Sequence, residues 1–129
     1  MSRAIRLLTA AAFAVAASVV AVSAARADGD AARGEKKFEE CAACHKLNRG
    51  EDGLGPSLHG VFGRKAASLG EFRYSGALKR SGITWTPQSI DTFIADPQAA
   101  VPANRMPYAG LTNAADRADL IAYLQTAFK

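Results

Sequence analysis

Cys41-Ala42-Ala43-Cys44-His45 constrains this chain more than any other feature. These are its only two cysteines, and no other C-x-x-C-H run occurs. The spacing has a mechanical reason. Two thiols three positions apart can add to the two vinyl groups along one edge of a haem, and the next residue then lies beneath the iron, where an imidazole nitrogen can bind it. Three other uses of paired cysteines fit less well. A redox dithiol expects a strand-to-helix context, whereas this pair ends an amphipathic helical segment with no strand before it. A structural zinc site needs about four ligands, and the chain offers only His59 and two carboxylate-rich stretches beyond the motif. A disulfide across two intervening residues leaves His45 unexplained. One haem c, covalently attached, is the expected cofactor.

The front of the chain reads as an export signal. Met1 to Arg6 carries Arg3 and Arg6, Leu7 to Val22 is apolar and rich in Ala and Val, and Ala25-Arg26-Ala27 supplies small residues before a cut. This is the order of a secretory signal peptide, with Val22-Ser23-Ala24 as a second candidate cut. An uncleaved membrane anchor is the alternative, but the run is short against the roughly 20 residues of a span. Residues 1–27 are therefore expected to be removed, leaving a domain over 28–129 in the periplasm. Loss of Arg3, Arg6 and Arg26 leaves 13 Lys and Arg against 12 Asp and Glu, a formal charge of +1. That balance argues against a nucleic-acid partner, as does the lack of a basic stripe with interleaved aromatics. Lys36, Lys37, Lys46, Arg49, Arg64, Lys65 and Arg105 form either a local positive patch or part of a mixed surface with Glu35, Glu39, Glu40, Glu51 and Asp52.

The remaining 102 residues predict an all-α domain of three to five helices with long loops. Asp30 is a candidate N-cap for a helix reaching about Ala43, with Phe38 as its core anchor. Residues 46–74 lack periodicity and carry many glycines, and a loop that long in a small domain is expected to wrap something. Ser75 caps a short turn through Lys79. Thr86-Pro87 has the form of an N-cap followed by Pro at the first helical position. Ile90, Phe93 and Ile94 share one face of that helix, which Pro97 ends. Thr112 or Asn113 opens a last helix with Leu120, Ile121, Leu124 and Phe128 on its apolar face and Tyr123 at the edge.

A haem iron has two axial positions, and His45 supplies one ligand. For the other, the exported part offers Met106 and His59. Met106 sits in the proline-bounded segment Pro102 to Pro107, where a mere gap-filling methionine is unusual. His59 follows His45 by only 14 residues, which makes the opposite face of a ring harder to reach. Met106 is the favoured ligand, and His59 is expected on the surface or in a hydrogen bond. A thioether ligand raises the potential, and a fully ligated iron has no open position for substrate. Both suit a carrier. A peroxidase-like enzyme or ligand sensor is the competing class, but the sequence supplies no distal acid–base pair for it.

These residues carry a resemblance to the class I cytochromes c, particularly the soluble bacterial carriers similar to mitochondrial cytochrome c. The likeness runs through the 41–45 motif, Gly55-Pro56-Ser57-Leu58-His59-Gly60-Val61-Phe62-Gly63-Arg64, Tyr74-Ser75, Gly82-Ile83-Thr84-Trp85, Pro102 to Leu111, and Arg117 to Leu124. The resemblance implies a monomeric one-electron carrier that is not an enzyme. It implies a membrane cytochrome bc complex as donor, and a terminal oxidase, photosynthetic reaction centre or other reductase as acceptor. It gives Cys41 and Cys44 the thioethers, and His45 and Met106 the iron. Pro56 takes the carbonyl that fixes the His45 ring, and Arg64, Tyr74, Trp85 and Asn104 take the haem propionates. Gly34, Phe38, Leu120 and Tyr123 take the packing of the terminal helices. The sequence departs from common patterns at Phe93 (often Tyr), Leu78 (often Asn), Asn104 (often Thr), and Gln98 and Ala99 (lysines in mitochondrial relatives).

Overall fold

The computed structural model describes residues 28–127. The expected signal segment, residues 1–27, and Phe128 lie outside the described residues. Five helices follow one another: α1 (Ala31–Ala42), α2 (Gly76–Arg80), α3 (Pro87–Ala95), α4 (Pro97–Ala100) and α5 (Ala114–Ala127). Among the described residues no strand forms, and Lys65 and Thr84 make an isolated antiparallel bridge. No helix there is long and apolar enough to cross a membrane.

Local chemistry sets the helix starts. The Asp30 carboxylate accepts from the Arg33 N–H at 2.8 Å, satisfying one of the donors that a helix leaves open. Thr86 and Ser89 form a reciprocal capping box, with Pro87 in the first helical position where it has no hydrogen bond to lose. Asn113, rather than Thr112, opens α5: its side-chain oxygen accepts from Ala115 N–H at 2.9 Å and Asp116 N–H at 3.2 Å. Pro97 ends α3 as expected and also starts the one-turn α4. Asp96, in an extended conformation, terminates the first helix and caps the second by accepting from Ala99 N–H at 3.0 Å.

Helices α1 and α5 pack tightly against each other. Gly34 makes this possible, because a Cβ there would overlap the Asp119 carbonyl. Beside the crossing, Phe38 is buried with Leu120 and Leu124, and its ring lies 5.5 Å from that of Tyr123. A second cluster of Val61, Trp85, Ile90, Phe93, Val101 and Ile121 fills the other half of the core. Between the clusters the long loop 43–75 and the segment 101–113 surround a cavity.

Candidate functional site

The cavity holds about 440 Å³. All nine residues expected at a cofactor site line its wall, from four separate stretches: Cys41, Cys44 and His45; Pro56 and Arg64; Tyr74 and Trp85; Asn104 and Met106. His59 does not. Its Nδ1 lies 3.1 Å from the Leu47 carbonyl, in keeping with a hydrogen-bonded histidine.

The end of α1 presents the motif. After Ala42 the chain turns, with the N–H groups of Cys44 and His45 both donating to the Cys41 carbonyl at 3.0 and 2.8 Å. Both thiols are free. Burial pushes the Cys41 thiol up to about 11, with Glu40 and then Cys44 adding to the effect. A redox dithiol needs the opposite, a depressed pKa on the attacking sulfur, so the pair is poorly made for disulfide exchange.

His45 is fixed from two sides. Its Nδ1 lies 2.7 Å from the Pro56 carbonyl. A carbonyl only accepts, so Nδ1 carries the hydrogen and Nε2 keeps the lone pair. Burial favours the neutral ring, lowering its pKa against the opposing pull of the Pro56 bond. Gly55 lies flat against the imidazole, where an added Cβ would be 2.5 Å from Cε1. The ring is neutral, oriented and ready to donate to a metal.

Arg64 and Trp85 are brought together by backbone pairing. Gly63 N–H donates to the Trp85 carbonyl at 2.7 Å, Trp85 N–H to the Arg64 carbonyl at 2.9 Å, and Ala66 N–H to the Ile83 carbonyl at 2.8 Å. The Arg64 guanidinium donates to the carbonyls of His59 at 2.9 Å and Ser57 at 2.8 Å. Burial lowers its pKa, and three of its five N–H groups remain for a further acceptor. Burial raises the pKa of Tyr74, which therefore stays a neutral hydrogen-bond donor. Three of the cations that the sequence offered for a positive patch are engaged elsewhere. Lys37 pairs with Asp116 on α5 at 2.9 Å, Arg64 turns inward, and Arg105 donates to the Arg73 carbonyl at 2.7 Å beside the cavity.

Asn104, expected at a propionate, lines the cavity and also makes hydrogen bonds to its own segment. Its amide nitrogen donates to the carbonyls of Pro97 at 2.7 Å and Val101 at 2.9 Å, and its oxygen accepts from Met106 N–H at 2.8 Å. An amide has two hydrogens, and both are engaged inside the loop. The departures at Leu78 and Phe93 are apolar packing. Leu78 lies against the core cluster, and Phe93 meets Trp85 edge-on at 5.2 Å.

The donor set fits a covalently attached haem. Two unbridged thiols, a neutral imidazole with a free lone pair, a thioether, a half-buried cationic donor and buried neutral donors suited to carboxylates share one largely apolar cavity.

Comparison with known proteins agrees with this chemistry. The sequence model of the family described as cytochrome c matches residues 31–128. Cytochrome c2 of Rhodomicrobium vannielii is 42% identical over 113 residues, covering 87% of this chain and 90% of that protein. Cytochrome c-type cyt cy of Rhodobacter capsulatus is 46% identical over 108 residues, 83% of this chain, but the chain spans only 54% of that relative's length. Among solved structures, cytochrome cH from Methylobacterium extorquens superposes with a TM-score of 0.71 at 43% identity, covering 76% of this chain and 99% of that one. With sequence, fold and cavity chemistry in agreement over nearly every described residue, the chain belongs to the cytochrome c family, whose members carry electrons on covalently attached haem c rather than catalyse a reaction.

Proposed function

We propose that this protein is a periplasmic one-electron carrier with a His/Met-ligated haem c. In this reading residues 1–27 direct export and are removed, and residues 28–129 shuttle electrons as a monomer. The donor is a membrane cytochrome bc complex. The acceptor is a terminal oxidase, a photosynthetic reaction centre or another reductase.

One observation carries the reading: His45 and Met106, far apart in sequence, line the same cavity as both cysteines. Cys41 and Cys44 hold the group by thioethers. His45 binds iron through Nε2, because the Pro56 carbonyl claims Nδ1. The Met106 thioether would be the second protein ligand to the iron, a donor that favours the reduced state. Arg64, Tyr74 and Trp85 provide donors for the propionates, which lowers the cost of burying carboxylates. When bound, the haem supplies an iron that gains and loses one electron. The chain's share is to keep the surroundings dry and fixed. Leu78, Ile90, Phe93 and Leu120 line the wall with side chains that cannot hydrogen-bond. Docking is expected to be brief and small in area, as for other redox encounters.

The test is a visible absorption spectrum of the protein expressed with export and haem-attachment machinery. A c-type spectrum with the weak far-red band of thioether–iron(III) ligation is expected, and Met106→Ala should abolish that band alone. A c-type spectrum without the band in the unmutated protein would end the His/Met assignment. Mass spectrometry of the exported protein checks the cut after Ala27, and a product beginning at Met1 would overturn it.

A further inference from the structure

One side chain, that of Asn104, makes three hydrogen bonds around the loop carrying Met106. Asn104 is 8% exposed, and its three polar contacts join separate points of the loop. They are the Pro97 carbonyl at 2.7 Å, the Val101 carbonyl at 2.9 Å and the Met106 N–H at 2.8 Å. The Asn104 backbone is used as well. Its N–H donates to Val101 at 3.1 Å, and its carbonyl accepts from Gln98 Nε2 at 3.2 Å. Ala103, immediately before it, is held at a φ of +64°, a conformation that L residues other than Asn, Asp and Gly seldom take. A strained residue beside a fully engaged amide is the mark of a loop locked in one shape.

We infer that Asn104 is a positioning residue for Met106: its carboxamide ties the thioether-bearing loop to α4 and so slows the opening that would release the sulfur from iron. The inference rests on the assignment of Met106 as a ligand. The side chain suits the task by its chemistry. Two donors and one acceptor in one plane satisfy two carbonyls and one N–H at once, which a hydroxyl cannot do and a carboxylate would reverse. Because both amide hydrogens are engaged, Asn104 acts on the haem through Met106 and not as a donor to a propionate.

The experiment uses haem-loaded protein and follows the rate at which imidazole replaces the thioether in the oxidised state. Asn104→Asp keeps the shape and the acceptor but removes both donors. Imidazole should replace the thioether at least about ten-fold faster than in the unmutated protein, the factor that about 1.4 kcal/mol represents. Asn104→Thr, with one donor, should lie between the two. Replacement at the unmutated rate, with a change only in how the potential depends on pH, would assign Asn104 to a propionate and overturn the inference. Hydrogen exchange in the unmutated protein gives a reading that needs no variant. The Met106 N–H should be protected, and rapid unprotected exchange would overturn the inference. If the unmutated protein lacks the thioether band, the ligand assignment falls and this inference falls with it. If the band is present and Asn104→Asp behaves as the parent, only this inference falls.

Discussion

Arg33 and Asp119 are joined by two parallel hydrogen bonds, Nε to Oδ2 at 2.7 Å and the second terminal nitrogen to Oδ1 at 2.9 Å, across 86 positions of sequence. The same carboxylate accepts the Asp30 backbone N–H at 2.6 Å. Asp119 is a buried charge, 4% exposed, met by a fork of guanidinium donors and by the N-cap residue of the helix that it packs against. This is the arrangement in which removing one partner is costly.

The Arg33 bond and then the Asp30 N–H hold the Asp119 carboxyl below its ordinary pKa of 3.8. A depressed carboxylate pKa means that the folded state binds its proton less readily than the unfolded chain. The contribution to stability is therefore complete above the ordinary value and is lost as pH falls through the folded one. Asp119→Asn should lower the denaturation midpoint at about pH 7, and the gap from the parent should narrow below about pH 4. Denaturant titrations at both pH values check this, and a gap that is constant with pH would remove the carboxylate from the explanation.

Gly34 allows the two terminal helices to touch, and a methyl group there meets the Asp119 backbone, which cannot rotate away. Gly34→Ala should destabilise by about 1–3 kcal/mol or more, the range for overfilling a packed contact. Gly70, where an added Cβ meets nothing within 4 Å, is the control. Its replacement by Ala should stay within about 0.5 kcal/mol of the parent. Urea midpoints of the two variants decide the matter.

Gly55→Ala acts on the ring and not on the core. The new Cβ would stand 2.8 Å from Nδ1 and 2.9 Å from Nε2 of His45, so the imidazole must tilt away from the Pro56 carbonyl. Faster exchange of the His45 Nδ1 proton and a shifted reduction potential are expected, with a smaller yield of haem-loaded protein. Proton NMR and a redox titration measure both, and an unchanged Nδ1 proton would show that the ring tolerates the methyl group.

Ala103→Gly sets two opposing effects against each other. Relief of the left-handed conformation is worth roughly 1–2 kcal/mol, while the added freedom of the unfolded chain costs about 0.4–1 kcal/mol. The first is larger, so the variant should be more stable by a few tenths to about 1 kcal/mol. Thermal unfolding of the haem-loaded protein measures it, and a clear loss of stability would mean that the Ala103 methyl group contributes packing that outweighs its strain.

Much of this architecture is legible in the sequence because its signals are local. Asp30, Ser75, Thr86 and Asn113 each cap a helix through neighbours two or three positions away, and such offsets are visible before any fold is known. The cysteine pair and His45 declare their chemistry for the same reason. The features that reading missed are set by distant partners. Proline is a stop signal, so Pro97 showed where α3 ends. The new turn that it begins depends on the extended backbone of Asp96. Asp119 reads as one polar residue on a helix, because nothing nearby reveals that Arg33 meets it. The hydrogen bonds of Asn104 to Pro97 and Val101 are likewise invisible in the sequence, because they depend on which carbonyls the folded loop turns toward it.

The bond between the Asp30 N–H and Asp119 spans 89 positions, which gives the order of synthesis a physical meaning. A growing chain makes Cys41, Cys44 and His45 well before α5. Until Leu120 and Leu124 exist, the face of α1 that carries Phe38 has no partner to bury it, and an isolated helix of 12 residues is marginal in water. The stretch that carries the cysteine pair is thus made well before the helix that packs against it.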